Sequence, residues 1–371
     1  MNKWTYTTLG KISEIITGPF GSQLHQSDYV EQGIPVVMPQ DIDNRRVNYA
    51  SINYVSNEDA IRLERYKTII NDILYARRGD VEKHAFIKEK DNGVLCGTGC
   101  LRVRITTSEV EPEFISFFLN REETRKWLVT HAVGTNMPNL NTDILSGIPI
   151  AYPLLEEQRK IVQVLNSLDE KIALNNAVND NLEQQMHLIF ENMMAKAATH
   201  KLSGEYTIAQ NLATVVTGKE DANFSVPNGK YKFFTCSNTP LLCDEYVFDS
   251  SSILIAGNGD FNVKHYSGKF NAYQRTYILT PDKKYFGLLY LASLYRINSF
   301  KSRSSGSIVK FITKSDVENI PVFIPNDMFY LQELNKLIYL QEQNKLENEL
   351  LVNLRDWLLP MLMNGQATIS D

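Results

Sequence analysis

Residues 147–162 read GIPIAYPLLEEQRKIV. An extended apolar piece carrying Pro149 and Pro153 runs directly into the start of a long helix. Far downstream, residues 319–338 read NIPVFIPNDMFYLQELNKLI and spell the same strand-to-helix junction again. A junction written twice predicts a duplicated chain, with further internal copies in the same order.

Five further pairs fall in the same order. YTTLGKISEIITG (Tyr6–Gly18) matches YTIAQNLATVVTG (Tyr206–Gly218) at an offset of 200. GIPVVMPQ (Gly33–Gln40) sits against GKYKFFTC (Gly229–Cys236) at 196, and ILYARRGD (Ile73–Asp80) against ILIAGNGD (Ile253–Asp260) at 180. FISFFL (Phe114–Leu119) pairs with FGLLYL (Phe286–Leu291), and GTNMPNLNTDILSGIPI (Gly134–Ile150) with GSIVKFITKSDVENIPV (Gly306–Val322), both at 172. Each pair alone is weak. An offset that only shrinks means a second copy with shorter loops, where deletions cost little. The expected class is α+β, with globular units at 1–152 and 201–325 and helical regions at 153–200 and 326–371. Each unit carries β-rich runs and one helix, Phe114–Trp127 in the first and Tyr285–Tyr295 in the second.

In the first helical region an apolar seam runs through Ile161, Leu165, Leu168, Ile172, Leu182, Met186, Ile189 and Met193, with Asn175 and Asn179 at its centre. No Pro or Gly breaks it, and its 38 or so residues make a rod of roughly 57 Å. The second region places Leu346, Leu350, Leu354, Trp357 and Met361 at similar spacing, behind the polar QEQNK (Gln341–Lys345). Laid antiparallel, the two polar waists face each other; a buried Asn layer costs stability and fixes register. The bland alternative is that each helix packs only on its own globular unit.

Net charge is −5, spread unevenly. Residues 1–150 hold 17 Lys+Arg against 19 Asp+Glu, and residues 151–200 hold 4 against 7. Residues 201–325 hold 14 against 10, and residues 326–371 hold 3 against 7. An acidic total does not exclude a phosphate-binding patch, because charges act within a Debye length. The opening MNKWTYTTLG has no apolar signal region, and the longest apolar run, Tyr285–Tyr295, is too short for a bilayer. A soluble, cytoplasmic protein with no membrane partner is expected. Cys96 and Cys100 frame CGTGC, but no second pair stands at zinc spacing; small buried hydrophobes are the expected role, and no metal site is assigned.

Catalytic signatures are missing. There is no P-loop and no Asn/Asp-Pro-Pro-aromatic box. IAGNGDF (Ile255–Phe261) carries Gly-x-Gly after an apolar strand, but β-rich sequence follows, so a strand-end turn is expected. RRGDVEKH (Arg77–His84) resembles a metal-nuclease cluster only superficially, since Glu82 and Lys83 are adjacent and the second copy loses the Glu. No catalytic residue is assigned. Two similar units without chemistry, joined by stiff helices, suit a repeating polymer with two separated sites, of which DNA is the natural case.

The IPI..P...EEQRKI junction, the acidic LDEKI segment (Leu168–Ile172), the Thr-Gly that ends each opening segment and the duplicated order together resemble the specificity subunit of type I restriction–modification systems. The resemblance covers nearly the whole chain. It implies two tandem homologous target-recognition domains, separated by two long helices that form an antiparallel coiled coil with pseudo-twofold arrangement. It implies that each domain reads one half of a bipartite double-stranded DNA target. It further implies two methyltransferase subunits as partners, which carry S-adenosylmethionine and methylate adenine N6, and a restriction subunit that can join. No cofactor is expected on this chain. The second junction departs from the pattern, with NDMFYLQELNK (Asn326–Lys336) in place of EEQ.

Base-reading residues vary within that family, so candidates come from chemistry. Arg bonds guanine and Asn or Gln bonds adenine in bidentate fashion. In the first unit these are Ser22, Gln23 and His25 after TGPFG, then Arg77, Arg78, Lys83 and His84, and Asn136 and Asn139 in the polar glycine loop. In the second they are Lys219, Asn258, Lys264, His265, Gln274 and Arg275, with Arg303 and Lys310 bounding the matching loop. The competing class is a coiled-coil adaptor whose globular ends bind proteins. The target sequence and spacer length are not readable from the sequence.

Overall fold

The computed structural model describes residues 4–134, 138–259, 261–303 and 311–369. The chain divides into two compact units, Met1–Glu170 with Leu351–Asp371, and Lys171–Leu350.

In the first unit the opening segment and the quoted junction meet. Strand Thr5–Thr8 pairs antiparallel with Pro149–Tyr152, Thr5 opposite Tyr152 and Thr8 opposite Pro149. Ile148, Ile150 and Tyr152 are buried and Pro149 is exposed, the alternation a half-buried strand requires. Pro149 sits at the end of a two-stranded ladder, where its missing N–H is tolerated. A four-stranded antiparallel sheet follows in the order Ser13–Thr17, Cys100–Ile105, Ile73–Ala76, His84–Phe86. Period two divides its side chains. Leu101, Val103, Ile73 and Tyr75 pack with Phe114, Ile115 and Phe118 of helix Pro112–Leu119. Leu74, Ala76 and Cys100 pack instead with Val36, Val37 and Cys96 of a second four-stranded sheet. The cysteines are free thiols, and Cys96 and Cys100 are wholly buried. The single helix expected over Phe114–Trp127 is two, Pro112–Leu119 and Glu122–His131. Arg121 between them is extended (φ −65°, ψ 149°), and its guanidinium lies 3.6 Å from the centre of the Phe118 ring.

The second unit repeats the plan. Strand Gly204–Ile208 pairs antiparallel with Pro321–Pro325. One six-stranded sheet runs in the order Ala213–Thr217, Thr276–Pro281, Phe248–Ala256, Val263–Ala272, Tyr231–Phe234, Leu241–Cys243. Its first four strands correspond in order to the antiparallel sheet of the first unit. Of IAGNGDF, Ile255 and Ala256 end strand Phe248–Ala256, and Gly257–Gly259 and Phe261 lie between it and Val263–Ala272, a strand end rather than a helix start, as expected; Asp260 lies outside the described residues. Helix Phe286–Arg303 is longer than the Tyr285–Tyr295 expected.

The first long helix is Leu155–Ala198 and the second Met328–Met363. Within the first unit, Ile161 and Leu165 of the first helix share a core with Leu359, Leu362 and Met363 of the second. Within the second unit, Leu182 and Met186 share a core with Leu334, Leu337 and Ile338. There Asn175 Nδ2 donates to Glu347 Oε2 at 2.7 Å and to Asn348 Oδ1 at 2.9 Å, and Asn344 Nδ2 donates to Asn179 Oδ1 at 2.9 Å. Numbers rise on one helix as they fall on the other, so the pairing is antiparallel in each unit.

The first-helix seam holds: Ile161, Leu165, Asn175, Asn179, Leu182 and Met186 are buried, and Leu168, Ile172 and Ile189 are partly so. The second-helix seam is corrected. Leu346, Leu350, Leu354 and Trp357 are 53%, 62%, 43% and 58% exposed. The face turned inward carries Gln341, Asn344, Asn348, Arg355 and Leu359 instead. The buried Asn175 and Asn179 need hydrogen-bond partners, and polar residues of the second helix supply them. Among the described residues no helix is long and apolar enough to cross a membrane, and no group of three or more His, Cys, Asp or Glu side chains is placed to hold a metal.

Candidate nucleic-acid interface

In each unit several loops are stitched together by the same backbone contacts. In the first, Gly18 N–H donates to Cys100 O, Arg77 N–H to Gly99 O and Leu140 N–H to Arg77 O, at 2.9, 2.8 and 2.8 Å. In the second, Gly218 N–H donates to Thr276 O, Gly257 N–H to Arg275 O and Ile312 N–H to Gly257 O, at 3.0, 2.8 and 2.8 Å. An isolated bridge joins Arg78 to Asn139 in one and Asn258 to Phe311 in the other. These partners stand at the offsets of 200, 180 and 172 read from the sequence, apart from the turn at 97–100 and 273–276, which the matches did not cover. The repeated Thr-Gly has a physical reason: a Cβ on Gly18 would lie 2.1 Å from Gly97 O, and one on Gly218 2.2 Å from Ala272 O. Only glycine lets the loops approach so closely.

The structure gathers some expected residues here and removes others. In the first unit Arg78 and Lys83 are exposed on the turn between Ile73–Ala76 and His84–Phe86. Lys83 Nζ lies 3.0 Å from Asp80 Oδ2. Arg77 is half-buried, its Nε donating to Leu140 O at 3.3 Å. Asn139 lies beside Arg78, with its Oδ1 buried and unpartnered in the protein. Ser22, Gln23 and His25 are exposed on a loop that leaves Gly18 and leans elsewhere: Arg62 Nη1 donates to Gln23 O at 2.6 Å and the Tyr66 hydroxyl to Gln23 Oε1 at 2.8 Å. In the second unit Lys219, Gln274 and Arg275 come together. Gln274 N–H donates to Glu220 O at 2.9 Å, and its Nε2 to Asp221 Oδ1 at 2.9 Å. Asn258 joins them through the Gly257–Arg275 hydrogen bond.

Two of the three candidate histidines, His84 and His265, are corrected. His84 is 2% exposed, with Nε2 3.0 Å from the Ser116 carbonyl and its ring stacked on Tyr75. Burial pulls its pKa down to about 3, so it offers neither surface nor charge. The His265 side chain is 2% exposed and held by the second long helix, with Glu342 Oε1 at 3.0 Å and Gln341 Oε1 at 2.9 Å. Lys264 belongs to the cluster, but its ammonium donates to the carbonyls of Thr235 and Ser237. Burial lowers its pKa to about 8. Asn136, Lys310 and the Arg303 side chain lie outside the described residues.

Sequence reasoning missed three features. The turn at 97–99 is the counterpart of Gln274 and Arg275, and Thr98 Oγ1 is buried there without a protein partner. Segments Met38–Gln40 and Thr235–Asn238 also join the clusters; the matched GIPVVMPQ and GKYKFFTC pointed at them, but their residues carry little charge. Asp169 of the first long helix anchors the first unit, accepting from Arg45 Nη1 and Arg355 Nη1, each at 3.0 Å. Arg45 sits in a loop, and nothing in its local pattern marked it for burial.

A family profile described as type I restriction modification DNA specificity domain matches residues 1–184 and 212–352. The chain is 35% identical over 164 residues to the type I restriction enzyme EcoDI specificity subunit of Escherichia coli. That match covers 42% of this chain and only 37% of that subunit. It is 21% identical over 420 aligned positions to the type I restriction enzyme MjaIX specificity subunit of Methanocaldococcus jannaschii, covering 99% of this chain and 94% of that one. A crystal structure of a type I restriction–modification system S subunit from M. genitalium shares the fold, with a TM-score of 0.64, 17% identity, and coverage of 100% of this chain and 97% of that one.

Proposed function

The chain belongs to the type I restriction modification DNA specificity family, and from that premise we propose that each unit reads one half of a bipartite double-stranded DNA target. The observation that carries this reading is the loop cluster built twice, with the same hydrogen bonds and different side chains: Arg78 and Lys83 in one copy, Lys219, Asn258, Gln274 and Arg275 in the other. A shared scaffold with divergent tips is what two readers of different base sequences need. The domain limits proposed are 1–152 and 201–325, with helical spacers at 153–200 and 326–371.

In this reading the chain has no catalytic site or cofactor of its own. The long helices set the separation of the half-sites. Two methyltransferase subunits bind the scaffold, carry S-adenosylmethionine and methylate adenine in each half-site, and a restriction subunit can join in the cytoplasm. The apolar side chains left exposed on the second long helix suit a helix of such a partner.

The same exposed residues favour one other reading, an adaptor whose partners are proteins alone. Coexpression with a methyltransferase subunit, followed by sequencing of methylated sites, separates the two. The specificity reading expects a two-part methylated sequence, of which one half changes when residues 257–262 and 273–275 are exchanged for those of a relative. Methylation without sequence preference, or none with any methyltransferase partner, leaves the adaptor.

A further inference from the structure

Segment Thr235–Asn238 follows strand Tyr231–Phe234 and carries no charge, so nothing in its composition marks it as a DNA contact. Its backbone is nonetheless held at three successive carbonyls. Lys264 Nζ donates to Thr235 O at 3.3 Å and also to Ser237 O, and Asn262 Nδ2 donates to Cys236 O at 2.8 Å. Cys236 Sγ lies 3.7 Å from Arg275 O, the same carbonyl that receives Gly257 N–H. Surface loops commonly leave such carbonyls to water. Here the strand beginning at Val263 and the residue before it engage all three, while Ser237 and Asn238 stay exposed.

The first unit holds the matching segment by other chemistry. Asp41 is 1% exposed, and its Oδ2 accepts Met38 N–H at 2.9 Å. Gln40 is exposed, and Pro39 packs close to Gly99, the counterpart of Arg275. A carboxylate on an N–H in one copy and an ammonium on two carbonyls in the other give one result: an uncharged segment fixed among the loops of the cluster, with an amide side chain in the open.

We propose that Thr235–Asn238 is a base-reading segment of the second unit, that Ser237 and Asn238 determine specificity there, and that Lys264 and Asn262 are positioning residues that hold it in place. This rests on the DNA-recognition reading above. An amide side chain held this way bonds adenine in bidentate fashion, whereas a loosely held one discriminates poorly.

The test uses the full chain assembled with a methyltransferase subunit, with sequencing of methylated sites as readout. Ser237→Ala/Asn238→Ala alters only exposed side chains and is expected to relax one or two positions of one half-site, with discrimination there falling about 10-fold and the other half-site unchanged. Lys264→Met is expected to relax the same positions, with Lys264→Arg partly restoring them. If Lys264→Met lowers methylation of all sequences equally and relaxes none, the positioning role is overturned. If the parent complex is sequence-specific and the double variant leaves its target unchanged, the segment does not read bases, while the DNA-recognition reading survives. If the parent complex shows no sequence preference, that reading itself fails.

Discussion

Arg45 is 8% exposed, yet it carries a full charge into the first unit. Its Nη1 lies 3.0 Å from Asp169 Oδ2, its Nε donates to Ser116 Oγ at 3.0 Å, and its guanidinium sits 3.4 Å from the centre of the Phe117 ring. Burial lowers its pKa to about 10, with Asp169 and then Glu113 working in the other direction. Removing one partner of a buried pair leaves the other charge uncompensated, which costs about 3–5 kcal/mol. Asp169→Ala is therefore expected to lose about 3 kcal/mol in denaturant unfolding, and a loss near zero would show that water or Glu113 suffices. His84 gives a second measurable effect. Its folded pKa of about 3 lies below the ordinary 6.5, so the unfolded chain binds the proton first as pH falls. The stability held by neutral His84 is complete above pH ~6.5 and drains below it, by up to about 1.4 kcal/mol per pH unit. His84→Gln keeps a polar side chain and removes the titration. The difference between its melting curve and that of the parent is expected to slope between pH 7 and 5; a flat difference rejects the assignment. Neither effect was legible in the sequence. His84 appeared there among charged neighbours in RRGDVEKH, and only the fold reveals that the strand turns it inward.

The elements were more legible than the contacts between them. An apolar seam on the first long helix was readable because burial and hydrophobicity coincide there. On the second they part, and the inward face is chosen by the hydrogen-bonding needs of Asn175 and Asn179, a relation no single-helix periodicity contains. The departure from EEQ has a similar source. Gln158, 0% exposed, accepts Glu111 N–H at 2.8 Å and donates to Glu109 O at 3.0 Å and Pro153 O at 2.8 Å, tying the first long helix to the start of helix Pro112–Leu119. In the second unit Asn335 does this work, accepting Gly287 N–H at 2.8 Å and donating to Lys284 O at 2.9 Å at the start of helix Phe286–Arg303. The lock is kept while its residue and position change, so a motif search finds it once. Gln158→Ala leaves three backbone groups without this partner and is expected to cost about 2–3 kcal/mol. Hydrogen exchange should speed up first around Glu111; unchanged protection there means that the lock does not hold the helix end. Asn335→Ala is expected to do the same at Gly287.

At the scale of the whole molecule the duplication was legible because order survives when identity does not. Offsets that fall from 200 to 172 locate the deletions in loops, and the hydrogen bonds that stitch each cluster join residues at those offsets to each other and to one further turn, 97–100 in one copy and 273–276 in the other. What the loops contact was not legible, since a base-reading side chain looks like any exposed polar residue until its neighbours are known. The proposed function turns the two helices, 44 and 36 residues long, into the element that sets half-site separation, and that claim has a dimensional consequence. Seven residues make two helical turns and keep the heptad face in phase. Inserted into both helices at paired positions, after Asn175 and before Asn348, they lengthen each by about 10 Å, which is about 3 base pairs at 3.4 Å per step. The expected outcome is methylation of the same two half-sequences with a gap widened by about 3 base pairs. Insertion into one helix alone breaks the pairing of Asn175 with Glu347 and Asn348 and should abolish methylation without revealing a new spacing. If the paired insertion yields an active complex that still methylates at the original spacing, the helices join the two readers but do not measure the distance between their sites.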